Sequence, residues 1–175
     1  MKRGFIRLSK AVYRRVGSRR VREALFRVFQ MAVSRRRVVQ RVDGIVFDLD
    51  LGEVIDLSLY LEQFEPEVVQ AIAAHMKPGW VVADIGANVG AHTLRIARQV
   101  GPDGRVFAFE PTAFAFRKLV RNVGLNQFAN VVPLQLALDE ADRGLIRIVF
   151  RASWRWNGES RSEPTMVEAV RLDSW

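Results

Sequence analysis

The sequence has no cysteine, which excludes disulfides, thiolate metal sites and cysteine nucleophiles. Its two histidines, His75 and His92, are too few for a histidine-based metal site, and no metal is expected. No apolar run approaches the roughly 20 residues that a membrane span needs. Arginines interrupt every apolar stretch near the start, so no secretory leader is expected. There is no internal repeat and no low-complexity segment. Acids are scarce in one region only. Residues 1–42 hold fourteen Lys and Arg against a single acid, Glu23, whereas residues 43–175 hold thirteen against eighteen. The whole net charge of +8 therefore sits in the N-terminal quarter. What remains, at 175 residues and 49% hydrophobic, is one globular domain with a basic arm. The expected location is the cytoplasm, with the arm as a means of peripheral membrane contact.

The arm (residues 1–42) has helical periodicity. Phe5, Leu8, Val12 and Val16 form one stripe, Gly17-Ser18 interrupts, and Val21, Leu25, Val28 and Ala32 form a second. Three readings stand: a helical hairpin packed on the domain, a helix lying on an anionic membrane surface, and a contact with nucleic acid. The lack of interleaved aromatics weighs against single-stranded nucleic acid. Residues 43–79 read as a hairpin and a lead-in helix. Residues 38–58 have strand character, with a turn at Val42-Asp43-Gly44-Ile45. Pro66 suits the first turn of a helix, with Glu65 and Glu67 at its positive end. From residue 80 onward strands and helices alternate: strand 80–85, helix 91–100, strand 105–109, helix 112–124, strand 130–136. That alternation predicts βαβ units, a parallel sheet and an α/β fold. A strand from Leu145, a polar loop 153–164 with Trp154 and Trp156, and a return strand 167–172 complete the chain.

The chemistry concentrates at VVADIGANVG, residues 81–90. A buried strand ends on Asp84, Gly86 and Gly90 bracket a tight loop, and a helix follows. Such a turn gathers backbone N–H groups at a helix N-terminus, a place for the polar part of a nucleotide-like ligand. The next strand ends on Glu110, an acid placed to accept hydrogen bonds from both ribose hydroxyls. The loop is not the dinucleotide fingerprint, because Asn88 stands where G-x-G-x-x-G has its middle glycine. A side chain there crowds a pyrophosphate but can bond an amino-acid moiety. There is no G-K-[ST] phosphate loop. Asp84 repels phosphate and welcomes an ammonium group. The combination fits S-adenosylmethionine, which carries an amino acid and a ribose and no phosphate.

ADIGANVG, GRVFAFEP, Arg121-Asn122-Val123-Gly124-Leu125-Asn126, Asn130-Val131 before Ala137-Leu138, Phe64-Glu65-Pro66-Glu67 and Val170-Arg171-Leu172-Asp173-Ser174 together resemble the FkbM family of S-adenosylmethionine-dependent methyltransferases. The resemblance covers residues 44–175. It implies a class I (Rossmann-like) methyltransferase sheet and O-methylation of a sugar, glycolipid or polyketide hydroxyl, with a small-molecule or glycan acceptor as partner. It implies that Asp84, Gly86, Asn88 and Gly90 line the methionine end of the cofactor, with Ala87 also among the cofactor-binding residues. Glu110 holds the ribose, Pro111 and Thr112 border the adenine, and Ala137 and Leu138 lie near its ring. His92 is one turn into the helix and faces either the site or solvent. Trp154 and Trp156 line an acceptor pocket or cap the hairpin.

The family's next strand, with an I-K-x-D-x-E-G motif, does not follow Trp175. The chain is therefore expected to be a C-terminally shortened methyltransferase of impaired activity, with strand 130–136 as an open apolar edge. No catalytic base is assigned. Asp139 and Asp173 are acids near the expected crevice and suit turns equally well. Two alternatives stand beside the leading reading: an RNA methyltransferase anchored by the basic arm, and a cofactor-binding scaffold without activity.

Overall fold

The structure, a computed structural model, describes residues 16–33, 36–149 and 164–174. The first arm stripe lies almost wholly outside the described residues. The second falls on helix α1 (Arg19–Val33). Leu25 and Phe26 are half-buried, and Phe26 packs on the core below, while Val21 and Val28 stay exposed. Among the described residues, no helix is long and apolar enough to cross a membrane.

Strands β1 (Arg37–Val42) and β2 (Ile45–Asp50) form an antiparallel hairpin in which Val42 pairs with Ile45. Its two-residue turn needs positive φ twice, and Asp43 (49°) and Gly44 (83°) supply it. Ile45, Phe47 and Leu49 point inward from β2 and are buried. The strand character predicted to residue 58 ends at Asp50. Residues 54–60 are instead helix α2 (Val54–Tyr60). Ile55, Leu57 and Leu59 alternate with Asp56, Ser58 and Tyr60 as a strand would. However, Asp56 and Tyr60 are buried along with the leucines, so the segment is enclosed on more than one face. The Asp56 carboxylate accepts the Asp50 backbone N–H at 2.6 Å and pairs with Lys118.

Helix α3 (Pro66–His75) leads to a parallel sheet ordered β3-β4-β5: β3 (Val81–Ile85), β4 (Arg105–Phe109) and β5 (Val131–Leu134). Helices α4 (Thr93–Val100) and α5 (Ala113–Asn126) make the two crossovers. Parallel strands joined by helices, with their connecting loops gathered at one end, form the class I methyltransferase (Rossmann-like) arrangement. One sheet face is dry: Val106, Ala108 and Val131 pack with Ile72, Ala97, Val100 and Leu119. On the other face β3 is open, with Val81 70% and Ile85 61% exposed, while Phe109 of β4 is buried. Parallel sheets are normally covered on both faces. In the order β3-β4-β5 both β3 and β5 are edge strands, so β5 has no strand on its outer side among the described residues, as expected for residues 130–136. Its side chains are buried or half-buried, and the most exposed apolar positions of the sheet are on β3.

The predicted strand 130–136 also divides. After Gln135 the chain enters β6 (Leu136–Leu138), which leaves β5 and pairs in parallel with β8 (Pro164–Val170). β8 also pairs antiparallel with β7 (Gly144–Val149) in a second sheet ordered β6-β8-β7. Trp154 and Trp156 lie outside the described residues.

Two asparagines fasten the hairpin to the helical layer. Asn126 accepts from the Val46 backbone N–H at 2.8 Å and donates to its carbonyl at 2.7 Å, as a neighbouring strand would. Asn122, fully buried, accepts the Asp48 N–H at 2.9 Å and donates to the Val89 carbonyl at 2.8 Å. From the other side, Arg95 reaches Asp43 at 3.4 Å, and Arg98 donates to the Asp43 carbonyl. The hairpin therefore rests on α4 and α5 and touches the glycine loop.

Candidate cofactor site

The site lies at the C-terminal ends of β3 and β4. Paired strands bring Asp84 opposite Ala108 and Ile85 opposite Phe109, so the glycine loop and Glu110 emerge side by side. The loop needs left-handed backbone at three points: Gly86 (φ 79°), Asn88 (50°) and Gly90 (85°). Asn tolerates that region better than other non-glycine residues. Gly90 is also required sterically, because a Cβ there would sit 2.8 Å from Leu119 Cδ1. At Gly86 a Cβ would meet nothing within 4 Å and would project into open space beside the loop.

The backbone N–H groups expected to be free for a ligand are mostly spent inside the loop. Gly86 and Ala87 both donate to the Phe109 carbonyl at 2.9 Å, and Gly90 donates to the Ala87 carbonyl at 2.9 Å. Asn88 donates to Glu110 Oε2 at 2.9 Å. A loop so satisfied is no cradle for phosphate, and its recognition chemistry falls to side chains.

Three of these side chains are acidic or amide. Glu110 is buried, and its Oε1 accepts from the Thr112 backbone N–H at 2.8 Å and from its hydroxyl at 2.5 Å. Asp84 accepts the Thr93 hydroxyl at 2.5 Å, and Thr93 is wholly buried. The Asn88 side-chain carbonyl is buried with no hydrogen-bond partner among the described residues. A buried amide oxygen in that state favours a donor brought by a ligand.

His92 lies at the N-cap position of α4 rather than one turn into the helix, makes no side-chain capping bond, and meets Glu65 across 27 residues, with Nε2 and Oε2 2.7 Å apart. Glu65 was expected to favour the α3 N-terminus as a charge there. It does occupy the N-cap, in a left-handed conformation (φ 41°), but its side chain makes no capping bond and is committed to His92. The Phe64 ring lies 5.3 Å from the imidazole. The predicted residues Asp84, Gly86, Ala87, Asn88, Gly90 and Glu110 are therefore one connected unit, with Pro111 next to it in the chain. Ala137 and Leu138 stand in β6, in the second sheet, just beyond the end of β5 that faces the loop. Asp139 and Asp173 do turn work. Asp139 accepts the Glu140 N–H at 2.6 Å and pairs with Arg143 at 2.8 Å, and Asp173 lies 3.5 Å from Arg171. Thr93 as a partner of Asp84, and Glu65 as a partner of His92, left no signal in the sequence.

No family model matches the chain. It is similar, at 38% identity over 85 residues, to the AMB antimetabolite synthetase AmbE of Pseudomonas aeruginosa; the match covers 49% of this chain and 4% of that protein. Among solved structures, TYW2 of M. jannaschii in complex with AdoMet overlaps 56% of this chain and 42% of its own, at 26% identity and a TM-score of 0.47. A SAM dependent methyltransferase from Aquifex aeolicus overlaps 51% and 46%, at 26% identity and a TM-score of 0.38.

Proposed function

We propose that the chain binds S-adenosylmethionine at the β3–α4 loop and acts as a methyltransferase of the FkbM type on a hydroxyl of a sugar, glycolipid or polyketide. The observation that carries this reading is Glu110, a buried carboxylate at the tip of β4 that is bonded to the left-handed Asn88 of the loop. The residues present suit the cofactor. Asp84 offers an acid and Asn88 an amide carbonyl, unpartnered among the described residues, to its ammonium end, and Glu110 offers acceptors to the ribose hydroxyls. Gly86 leaves space where a side chain would intrude. When bound, the sulfonium supplies the methyl group. The chain's own part is to orient the cofactor and keep phosphate-bearing nucleotides out.

In the same reading the protein works in the cytoplasm, and the basic arm, residues 1–42, contacts an anionic membrane surface. Residues 43–79 and 80–175 serve as a supporting hairpin unit and a cofactor-binding unit. A second reading, cofactor binding without turnover, is favoured by the uncovered face of β3.

Calorimetry with S-adenosylmethionine and S-adenosylhomocysteine tests both. Saturable binding of each, with methyl transfer to a hydroxylated acceptor, is the expected result. Binding without transfer supports the second reading. Absence of binding refutes both.

A further inference from the structure

A cavity separate from the glycine loop opens between the hairpin and α5. Its volume is about 460 Å³, and it is lined by Arg37, Asp48, Asp50, Phe114, Arg117, Lys118 and Arg121. This lies within the range of small-molecule sites, which hold about 300–1,000 Å³. The α5 residues recur at helical spacing, so one face of the helix presents a ring and three cations.

The charges are layered. Asp48 and Asp50 form the floor, their side chains 21% and 10% exposed, while Arg121 and Arg37, which pair with them, are 61% and 71% exposed. Lys118 is tied to the buried Asp56. Arg117 is exposed and has no ion-pair or hydrogen-bond partner among the described residues. The acids thus hold the guanidiniums at the rim, and one guanidinium is left over. Planar guanidiniums grip oxyanions through paired N–H donors.

We infer that this cavity binds a small phosphate ester. The phosphate sits among Arg37, Arg117 and Arg121, and the organic part lies against Phe114. The cofactor proposed above carries no phosphate, so the two sites take different ligands and stand or fall separately.

The test is an amide NMR titration of the full chain with inorganic phosphate, glycerol 1-phosphate and glycerol. Phosphate and its ester are expected to bind saturably, shifting Asp48, Phe114, Arg117, Lys118 and Arg121, while glycerol leaves them unmoved. Arg117→Gln is expected to weaken ester binding by about five-fold or more, with melting unchanged. Three results would overturn the inference: shifts spread along the basic arm, an equal response to glycerol, or wild-type affinity in Arg117→Gln. Excess S-adenosylhomocysteine is expected not to displace the ester, and displacement would likewise refute a separate site.

Discussion

Glu110→Ala removes the acceptor that holds the glycine loop in its left-handed turn. The carboxylate takes three hydrogen bonds, from the Asn88 N–H at 2.9 Å, the Thr112 N–H at 2.8 Å and the Thr112 hydroxyl at 2.5 Å, in a site only 5% exposed. The hydroxyl can rotate to another partner, but the two backbone donors cannot. Stranding a buried donor costs about 1–3 kcal/mol, and water entering the vacated space returns part of that. The expected loss of stability in the absence of ligand is therefore about 2–4 kcal/mol. Glu110→Gln is milder. Its amide oxygen can keep Thr112, while its NH₂ faces the Asn88 N–H as donor against donor, and the expected loss is about 1–2 kcal/mol. If Glu110 also holds the ribose, cofactor affinity falls in both variants, by about 1.5–3 kcal/mol for alanine. Urea unfolding of the ligand-free protein measures the first quantity, and calorimetry at a temperature where the variant is folded measures the second. A Glu110→Ala protein within about 0.5 kcal/mol of wild type would refute the loop-holding role. Unchanged affinity would remove the ribose role and leave the structural one.

The two loop glycines separate space from backbone strain. Gly86→Ala should cost about 1–2 kcal/mol of stability from its positive φ alone yet weaken cofactor binding, because the added methyl enters the open space beside the loop. Gly90→Ala adds a clash with Leu119 to the same strain, for a total of about 2–5 kcal/mol by unfolding measurements. Asn122→Ala strands the Asp48 N–H and the Val89 carbonyl, and should cost about 2–4 kcal/mol; a near-neutral result would show that the hairpin is held without it. Burial pushes the Asp56 carboxyl up, more than Lys118 pulls it down. A folded value above the unfolded one gives stability that is full below the ordinary carboxyl range and is lost as pH rises through the folded value. The stability of wild type relative to Asp56→Asn should therefore fall as pH rises from about 4, as followed by melts at a series of pH values. An advantage that grows with pH would mean the Lys118 pair outweighs burial.

The parts legible in the sequence are those fixed by local chemistry. Gly86, Gly90 and the Asp43-Gly44 turn were visible because positive φ has few suitable residues, and all of them have it. The β3–β4 pair was visible because apolar strands joined by a helix have one favoured handedness. Segments decided by distant partners were not legible. Residues 54–60 alternate like a strand and become a helix whose buried Asp56 answers Asp50 and Lys118, 62 residues away. Asn122 and Asn126 belong to a recognisable motif, but their work is to complete an edge of β2 some 74 and 80 residues upstream. The site shows the same division. The loop and Glu110 are legible in the sequence, but the bond between them is not. An acid spending one oxygen on Asn88 and the other on Thr112 is already anchored before any ligand arrives, so its remaining lone pairs are fixed in direction. Such a group selects by geometry as well as by charge, since a ribose presenting two hydroxyls meets acceptors already in place. The same anchoring couples recognition to folding. A ligand that bonds Glu110 should also stiffen the turn at Asn88, and a substitution that loosens the turn should weaken the ligand even where the two never touch.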